Sequence, residues 1–504
     1  MADLLPFGPG AWFFIGTYIA SLLFFGWFGY RARRENTLRD FYIAGSGFGF
    51  FVLLLTLYAT QYSGNTLFGF TGKTYRIGYA WLVSVHFMIA IVVFYLVYAP
   101  RLHRLSKERG YVTPVDYLRD RFDSNAINII ASVVMILALS NFLLAQLMAM
   151  GRAIQGLAGT NGNAAYYLGV VVLGLIMVIY GTLGGMRAVA WSDVIQGGIL
   201  MSGFLVLLFM LIEQFGPLHA ASDRILASGD VRLINKLQLP KPAMLREWLS
   251  YILIVGMGAA LYPQAIQRIY ASSSERVLRK SLAVMAFLPF LTALIALVAG
   301  IYTIAYVPGL SGPDSDQSLA RLLRLVQEGS ALGYWLVVVL FAAIVSAIMS
   351  TADSALLSIS SMFTKDLYAN LINRNATEAQ LTRLGKICSW CVLAVLIVFA
   401  LGLKEKTSLV QLLDRKFDVL IQLVPAFMLG IRWSRLRTGP VLAGLVAGLV
   451  IALVLDFSPF PFVVAGKIWG FHPGLYALIV NLVIAVSASL LMLRQGQTDT
   501  VPNP

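Results

Sequence analysis

The chain has 504 residues, 59% of them hydrophobic and 12% charged, with 38 Lys and Arg against 24 Asp and Glu for a formal charge of +14, and its mean hydropathy is +0.78. A soluble domain carries roughly 25% charged residues, so this composition excludes a soluble enzyme. It reads as an all-α polytopic membrane protein, whose surplus of positive charge is topology first.

About thirteen apolar stretches reach the ~20 residues that cross a bilayer as a helix. They lie near 11–30, 48–72, 79–99, 126–157, 165–184, 191–213, 247–270, 281–306, 333–361, 384–403, 408–431, 438–457 and 473–493. No basic region followed by a cleavage site precedes the first, which reads as a retained helix. With "MADLLPFGPGA" outside, the segments that fall inside hold 23 of the 38 Lys and Arg. That bias predicts an N-terminus outside and a C-terminus inside. No clustered basic stripe is left over, so no nucleic-acid partner is expected.

In chain order, the second stretch carries the first anomaly. An apolar run meets Thr60, Gln61, Tyr62, Ser63, Gly64, Asn65 and Thr66 at mid-membrane. The seventh, "WLSYILIVGMGAALYPQAIQRIY", contains Gly256, Gly258 and Pro263. Glycine there also serves close helix packing. Peptide groups freed at that depth must line a cavity or face protein. Two interrupted helices five spans apart run in opposite directions, the arrangement expected of an inverted-repeat transporter with its site at the midplane.

The ninth stretch ends in "SAIMSTADSALLSIS". At ~100° per residue, Ala347, Ser350, Thr351, Ser354 and Ser358 share a helical face, with Asp353 beside Ser350 and Ser346. Hydroxyls in membrane helices often bond back to carbonyls four residues earlier, a sufficient reason for Ser358 and Ser361. An ionised Asp at a helix centre costs ~2.5–3.5 kcal/mol on the insertion scale. Oxygen ligands from an unwound helix and from hydroxyls suit a hard cation. Further on, Cys388 and Cys391 form a CxxC in an apolar helix and read as small buried residues. Arg415 and Asp418 are spaced for an ion pair at i, i+3. The tail "RQGQTDTVPNP" is polar and expected to be disordered.

Two stretches, "YGTLGGMRAVAWSDVIQGGIL" and "AAIVSAIMSTADSALLSISSMFTKDLY", resemble the sodium:solute symporter family, relatives of proline, sialic acid, galactose and choline transporters. "YSGNTLFGFTGKTYRIG" and "PQAIQRIYASSSERVLRKS" support the resemblance. It implies a five-plus-five inverted-repeat core with broken first and sixth helices, one helix before it and two after. The corresponding divisions are 1–40, 41–432 and 433–504. It also implies a main sodium site at Ala59, Tyr62, Ala347, Ser350 and Thr351. A second cation site, for sodium or a proton, is implied at Asp193, Ser350, Asp353 and Ser354. The sequence departs from the sialic acid type by placing Asp353 where a hydroxyl stands, though the choline type also has an Asp. Asp193 is equally read as a carboxylate near a helix N-terminus.

Basic residues toward the outside are Lys73, Arg76 and Arg152, suited to a carboxylate. Arg76 is as well explained by reaching for headgroups. Gln61, Tyr62, Asn141, Gln146, Tyr262, Gln264 and Gln422 are the polar pocket candidates. The expectation is a sodium-coupled importer of a small anionic or zwitterionic solute, a monocarboxylate or amino acid. It is expected to work as a monomer in a bacterial inner membrane. The alternatives are proton coupling and a transporter-like sensor domain. An enzyme is not expected, since no nucleophile–base or metal-ligand cluster stands out.

Overall fold

A computed structural model describes residues 7–32, 37–158, 163–238, 240–404, 408–457, 460–464 and 466–494. The side chains of Asn65 and Ser346 and the tail 495–504 lie outside the described residues. Lipid offers backbone groups no partner, so crossing segments satisfy their own as helices. The helices used below are α1 (Pro9–Arg31), α2 (Phe50–Gln61), α3 (Phe70–Ile77), α4 (Val83–Arg109), α5 (Asn125–Ala158), α6 (Asn163–Phe215) and α7 (Pro242–Ala260). They continue with α8 (Pro263–Ala271), α9 (Ala293–Tyr306), α10 (Ala331–Ser361), α11 (Glu378–Gly402), α12 (Leu409–Leu420), α13 (Thr438–Phe457) and α14 (Pro473–Arg494). Among the described residues the strands are one antiparallel pair, Val463–Val464 with Lys467–Ile468.

Nine described helices are long and apolar enough to cross a membrane, ten when the bent pair Met244–Ala260 and Pro263–Ala271 counts as one. The expected thirteen separate helices therefore do not appear as such, for three local reasons. The stretches at 165–184 and 191–213 join in the 53-residue α6. At 1.5 Å per residue such a rod would run to ~80 Å, far beyond a ~30 Å hydrocarbon core. Gly185 divides it by leaving helical geometry at φ 62° and ψ −156°, a region open to glycine. Phe41 packs against that glycine, and an added Cβ would lie 2.7 Å from its Cδ2. The other two reasons are α2 and α12, which are short because the chain breaks after each.

The breaks are where the sequence placed them. α2 ends at Gln61, and Tyr62 takes φ −99° and ψ 88° before a π-helical turn at Asn65–Gly69 leads into α3. α7 and α8 meet at a 52° bend. Pro263 opens α8 at its first turn, where a missing N–H leaves no bond unmade.

Around this centre, α10 packs against α5 and α6, and α6 against α1. α1 turns Phe13, Phe24 and Trp27 outward, an apolar face suited to lipid. Arg268, which opens the inner segment "RIYASSSERVLRK" and is one of the 23 basic residues assigned inside, is instead fully buried on α8, so that count overstates the loops by one.

Candidate functional site

Three elements meet at the first break: the end of α2, the middle of α10 and the second half of α6. Thr351 sits where its hydroxyl reaches both helices it lies between. It donates to the Ala59 carbonyl at 2.8 Å and to the Ala347 carbonyl at 2.7 Å. Ala59 is in the last turn of α2, whose carbonyls lose helical partners because the helix stops. The Tyr62 ring lies over Tyr58, with centroids 4.5 Å apart.

One residue away on α10 the chemistry changes sign. Ser350 and Thr56 donate their hydroxyls to the two carboxylate oxygens of Asp193 on α6. The Arg268 guanidinium enters the same cluster from α8. It reaches Thr56 Oγ1 at 2.7 Å, Asp193 Oδ2 at 3.0 Å, Ser354 Oγ at 2.6 Å and the Gln264 carbonyl at 3.1 Å. Arg268, Asp193, Thr56 and Ser354 are all buried. Asp193 is thus held by two hydroxyls and a guanidinium, the fully paired state a buried charge requires.

Asp353 is not part of that cluster's hydrogen bonding. Its carboxylate lies against Gly181 of α6, where an added Cβ would fall 1.7 Å from Oδ1. Oδ2 has no partner among the described residues, and neither has the hydroxyl of the adjacent buried Tyr180. Below it, Ser358 bonds back to the Ser354 carbonyl at 3.0 Å and donates to Gln267 at 2.6 Å. Gln267 in turn donates to Ser361 at 2.9 Å, continuing the polar seam between α8 and α10.

The pocket candidates divide. Gln146 accepts from the Gly64 N–H at 3.0 Å, satisfying a donor that the break frees. Gln61 donates to Tyr95 at 2.7 Å, and Tyr95 donates to the Ala259 carbonyl at 3.2 Å, so the two breaks are linked through α4. Tyr262 lies at the second break between Phe142, 5.1 Å away, and Phe417, 5.4 Å away. Gln264 and Asn141 have amide atoms with no partner among the described residues. Lys73 stands over the Trp81 ring at 5.7 Å.

Other candidates lie away from the breaks. Arg152 is buried and committed to Asp314 at 2.8 Å and to the Lys404 carbonyl. Arg76 holds Asp316 at 3.1 Å, in the short helix Gly312–Gln317. Burial pushes the Asp316 carboxyl above its ordinary range, outweighing the pull of Arg76. Gln422 donates to the Asp418 carbonyl at 3.0 Å and the Gly474 carbonyl at 2.9 Å, toward the C-terminal helices. The i, i+3 pair of Arg415 and Asp418 does not form. Arg415 lies over Phe457 at 5.8 Å, and Asp418 accepts from the Gly474 N–H at 2.7 Å.

Residues 41–448 match the model of the sodium:solute symporter family. The chain belongs to that family. It is 24% identical over 492 residues to the osmoregulated proline transporter OpuE of Bacillus subtilis, covering 96% of this chain and 95% of the relative. It is 24% identical over 451 residues to the sodium/proline symporter of Salmonella typhimurium, covering 87% and 86%. A substrate-bound, outward-open structure of a Na+-coupled sialic acid symporter superposes with a TM-score of 0.76 at 18% identity, covering 96% of this chain and 98% of that one. This symporter is therefore a multi-pass membrane transporter that couples sodium to a small solute, not an enzyme.

Two buried cationic residues near the breaks escaped the sequence reading of the symporter. Arg268 looked like a loop charge because it closes an apolar run just before "IYASSSER". Lys416 stood in "LLDRKFDVL" between charges that drew attention instead. It is 3% exposed, and Nζ lies 4.2 Å from the Phe142 centroid and 5.2 Å from those of Tyr262 and Phe417.

Proposed function

We propose that this symporter imports a small monocarboxylate or amino acid by alternating access. Its sodium is carried among Ala59, Tyr62, Ala347, Ser350 and Thr351. The observation that carries this is the single hydroxyl of Thr351 shared by a carbonyl of the broken helix and one of α10. A hard cation takes oxygen ligands, and these positions offer carbonyls and hydroxyls alone.

The coupling follows from that geometry. To face a cation, the Thr351 hydroxyl turns its hydrogen away from the Ala59 carbonyl and presents a lone pair. A hydrogen bond between α2 and α10 gives way to an ion bridge between the same two helices. Sodium at 100 times its dissociation constant then stabilises the bridged arrangement by ~2.7 kcal/mol. A ligand shifts a conformational equilibrium only by such differential binding. Polar groups at the two breaks are joined through Gln61, Tyr95 and the Ala259 carbonyl, giving sodium and solute a common scaffold.

A second cation at Asp193, Ser350, Asp353 and Ser354 requires Arg268 to withdraw, because the guanidinium already occupies Asp193 Oδ2 and Ser354 Oγ. Proton carriage at Asp353 needs no such move, and its unpartnered Oδ2 favours this as the second reading. The solute is read as anionic or zwitterionic, the unit as a monomer, and the location as a bacterial inner membrane with the N-terminus outside. Solute flux into proteoliposomes under an inward sodium gradient tests the reading. A sensor domain binds without flux, and a proton-coupled carrier runs without sodium.

A further inference from the structure

We propose that Lys416 is the group that receives the carboxylate of the transported solute and so determines its class. Its ammonium is nine-tenths buried and has no acceptor among the described residues. The acids near it in sequence are turned elsewhere. Asp414 accepts from Tyr251 at 3.0 Å and lies 3.8 Å from His472, and Asp418 caps the start of α14 at Gly474. What surrounds Nζ is aromatic: Phe142 on α5, Tyr262 at the second break and Phe417 on its own helix. Cation–π contacts offset only a fraction of the cost of burying an ammonium. An unpaired lysine at that depth is a functional group waiting for an anion.

The neighbouring atoms narrow the anion. Lys416 and Asn141 line one cleft of about 510 Å³ together with Arg415, Asp456, Val419 and the exposed Leu137, and the Asn141 Oδ1 is an unused acceptor. Gln264, one residue past the start of α8, leaves both amide atoms unused as well. A carboxylate on Lys416 with an adjacent N–H or O–H for Asn141 describes a small 2-amino or 2-hydroxy acid, its carbon skeleton against the apolar walls at Leu137, Ala138 and Val419. The inference rests on the symporter reading, but it moves the charge recognition from Arg152, which Asp314 already holds, to α12.

The test uses the purified full-length protein, with thermal stability measured in NaCl and in KCl. The probes are L-proline, lactate and their amides, prolinamide and lactamide. In wild type, at least one acid should add to the sodium-dependent stabilisation while its amide adds little. Lys416→Met should lose roughly 10- to 150-fold in affinity for that acid, the scale of a buried charge-assisted hydrogen bond. Sodium alone should still stabilise it, which certifies the fold. Lys416→Arg should recover part of the response. Equal affinity of wild type and Lys416→Met for the acid overturns the proposal, as does a wild type that answers neither acid. If Lys416→Met does not fold, the acid-to-amide comparison in wild type decides, and equal responses overturn it. Absence of any difference between NaCl and KCl in wild type instead overturns the sodium-coupled reading beneath it.

Discussion

Arg268 Nη2 and Asp193 Oδ2 lie 3.0 Å apart with both side chains fully buried, joining α8, the second half of the broken pair, to α6. Removing one member of such a pair leaves an uncompensated charge, which costs about 3–5 kcal/mol. Arg268→Gln should therefore lower the melting temperature sharply. The double variant Arg268→Gln with Asp193→Asn should recover most of the loss, because neither charge is then stranded. Melting curves of the four proteins in detergent check this, and additive losses would show that the two residues act separately.

The sodium site gives a second expectation. Ser350→Ala with Thr351→Ala removes two of the proposed oxygens and should raise the sodium concentration for half-maximal uptake, about tenfold for each 1.4 kcal/mol lost. Uptake titrated against sodium at fixed solute measures it. A wild-type sodium curve in the double variant places the ion elsewhere.

Gly181 supplies a third. Alanine there drives a Cβ into the Asp353 carboxylate, and crowding of this kind costs about 1–3 kcal/mol. Gly181→Ala should destabilise the wild type but far less a protein already carrying Asp353→Ala. Asp353→Asn keeps the shape and should still insert. If Asp353 carries a proton, this variant flattens the pH dependence of uptake and leaves the sodium ratio unchanged. If it helps hold a second sodium, the sodium:solute ratio falls by one. Unaltered ratio and pH profile together would make Asp353 a structural residue.

Asp316 gives the pH expectation. Its carboxyl binds a proton more tightly in the folded protein than in the unfolded chain, because burial raises its pKa. The folded state is therefore relatively favoured as pH falls through that raised value toward the ordinary ~3.9. Asp316→Asn mimics the protonated form at every pH. Its stability difference from wild type should be largest near neutrality and shrink toward pH 4. A difference independent of pH would show that Arg76 fully compensates the charge.

The membrane setting, both helix breaks and the polar face of α10 were legible in the sequence because each is a local pattern: apolar length, breaker residues, hydroxyl periodicity. The resemblance put Ala59 and Thr351 in one implied site; the hydrogen bond between them is read from the structure. What could not be read were the partners of long charged side chains. Arg268 and Lys416 enter the centre through their side-chain length and the bend at Tyr262, neither of which has a sequence period. Arg152 looked equally suited to a solute until Asp314, 162 residues away, was found against it. The thirteen stretches became fewer long helices for a related reason, since apolar length does not reveal where a chain continues helically through a turn.

The polar fastening of α12 to α14 has a consequence for the bilayer itself. Asn481 donates to the Gln422 carbonyl at 2.7 Å, Gln422 donates to the Gly474 carbonyl at 2.9 Å, and Asp418 accepts from the Gly474 N–H at 2.7 Å. α14 presents Ile479, Val483 and Leu491 outward, the surface that acyl chains would wet. Any displacement of α12 then drags a lipid-facing helix along. The work of turnover thus includes deforming the surrounding leaflets, at fractions of a kcal/mol per Å of mismatch. Acyl-chain length becomes a control on transport rate that acts without touching either ion or solute.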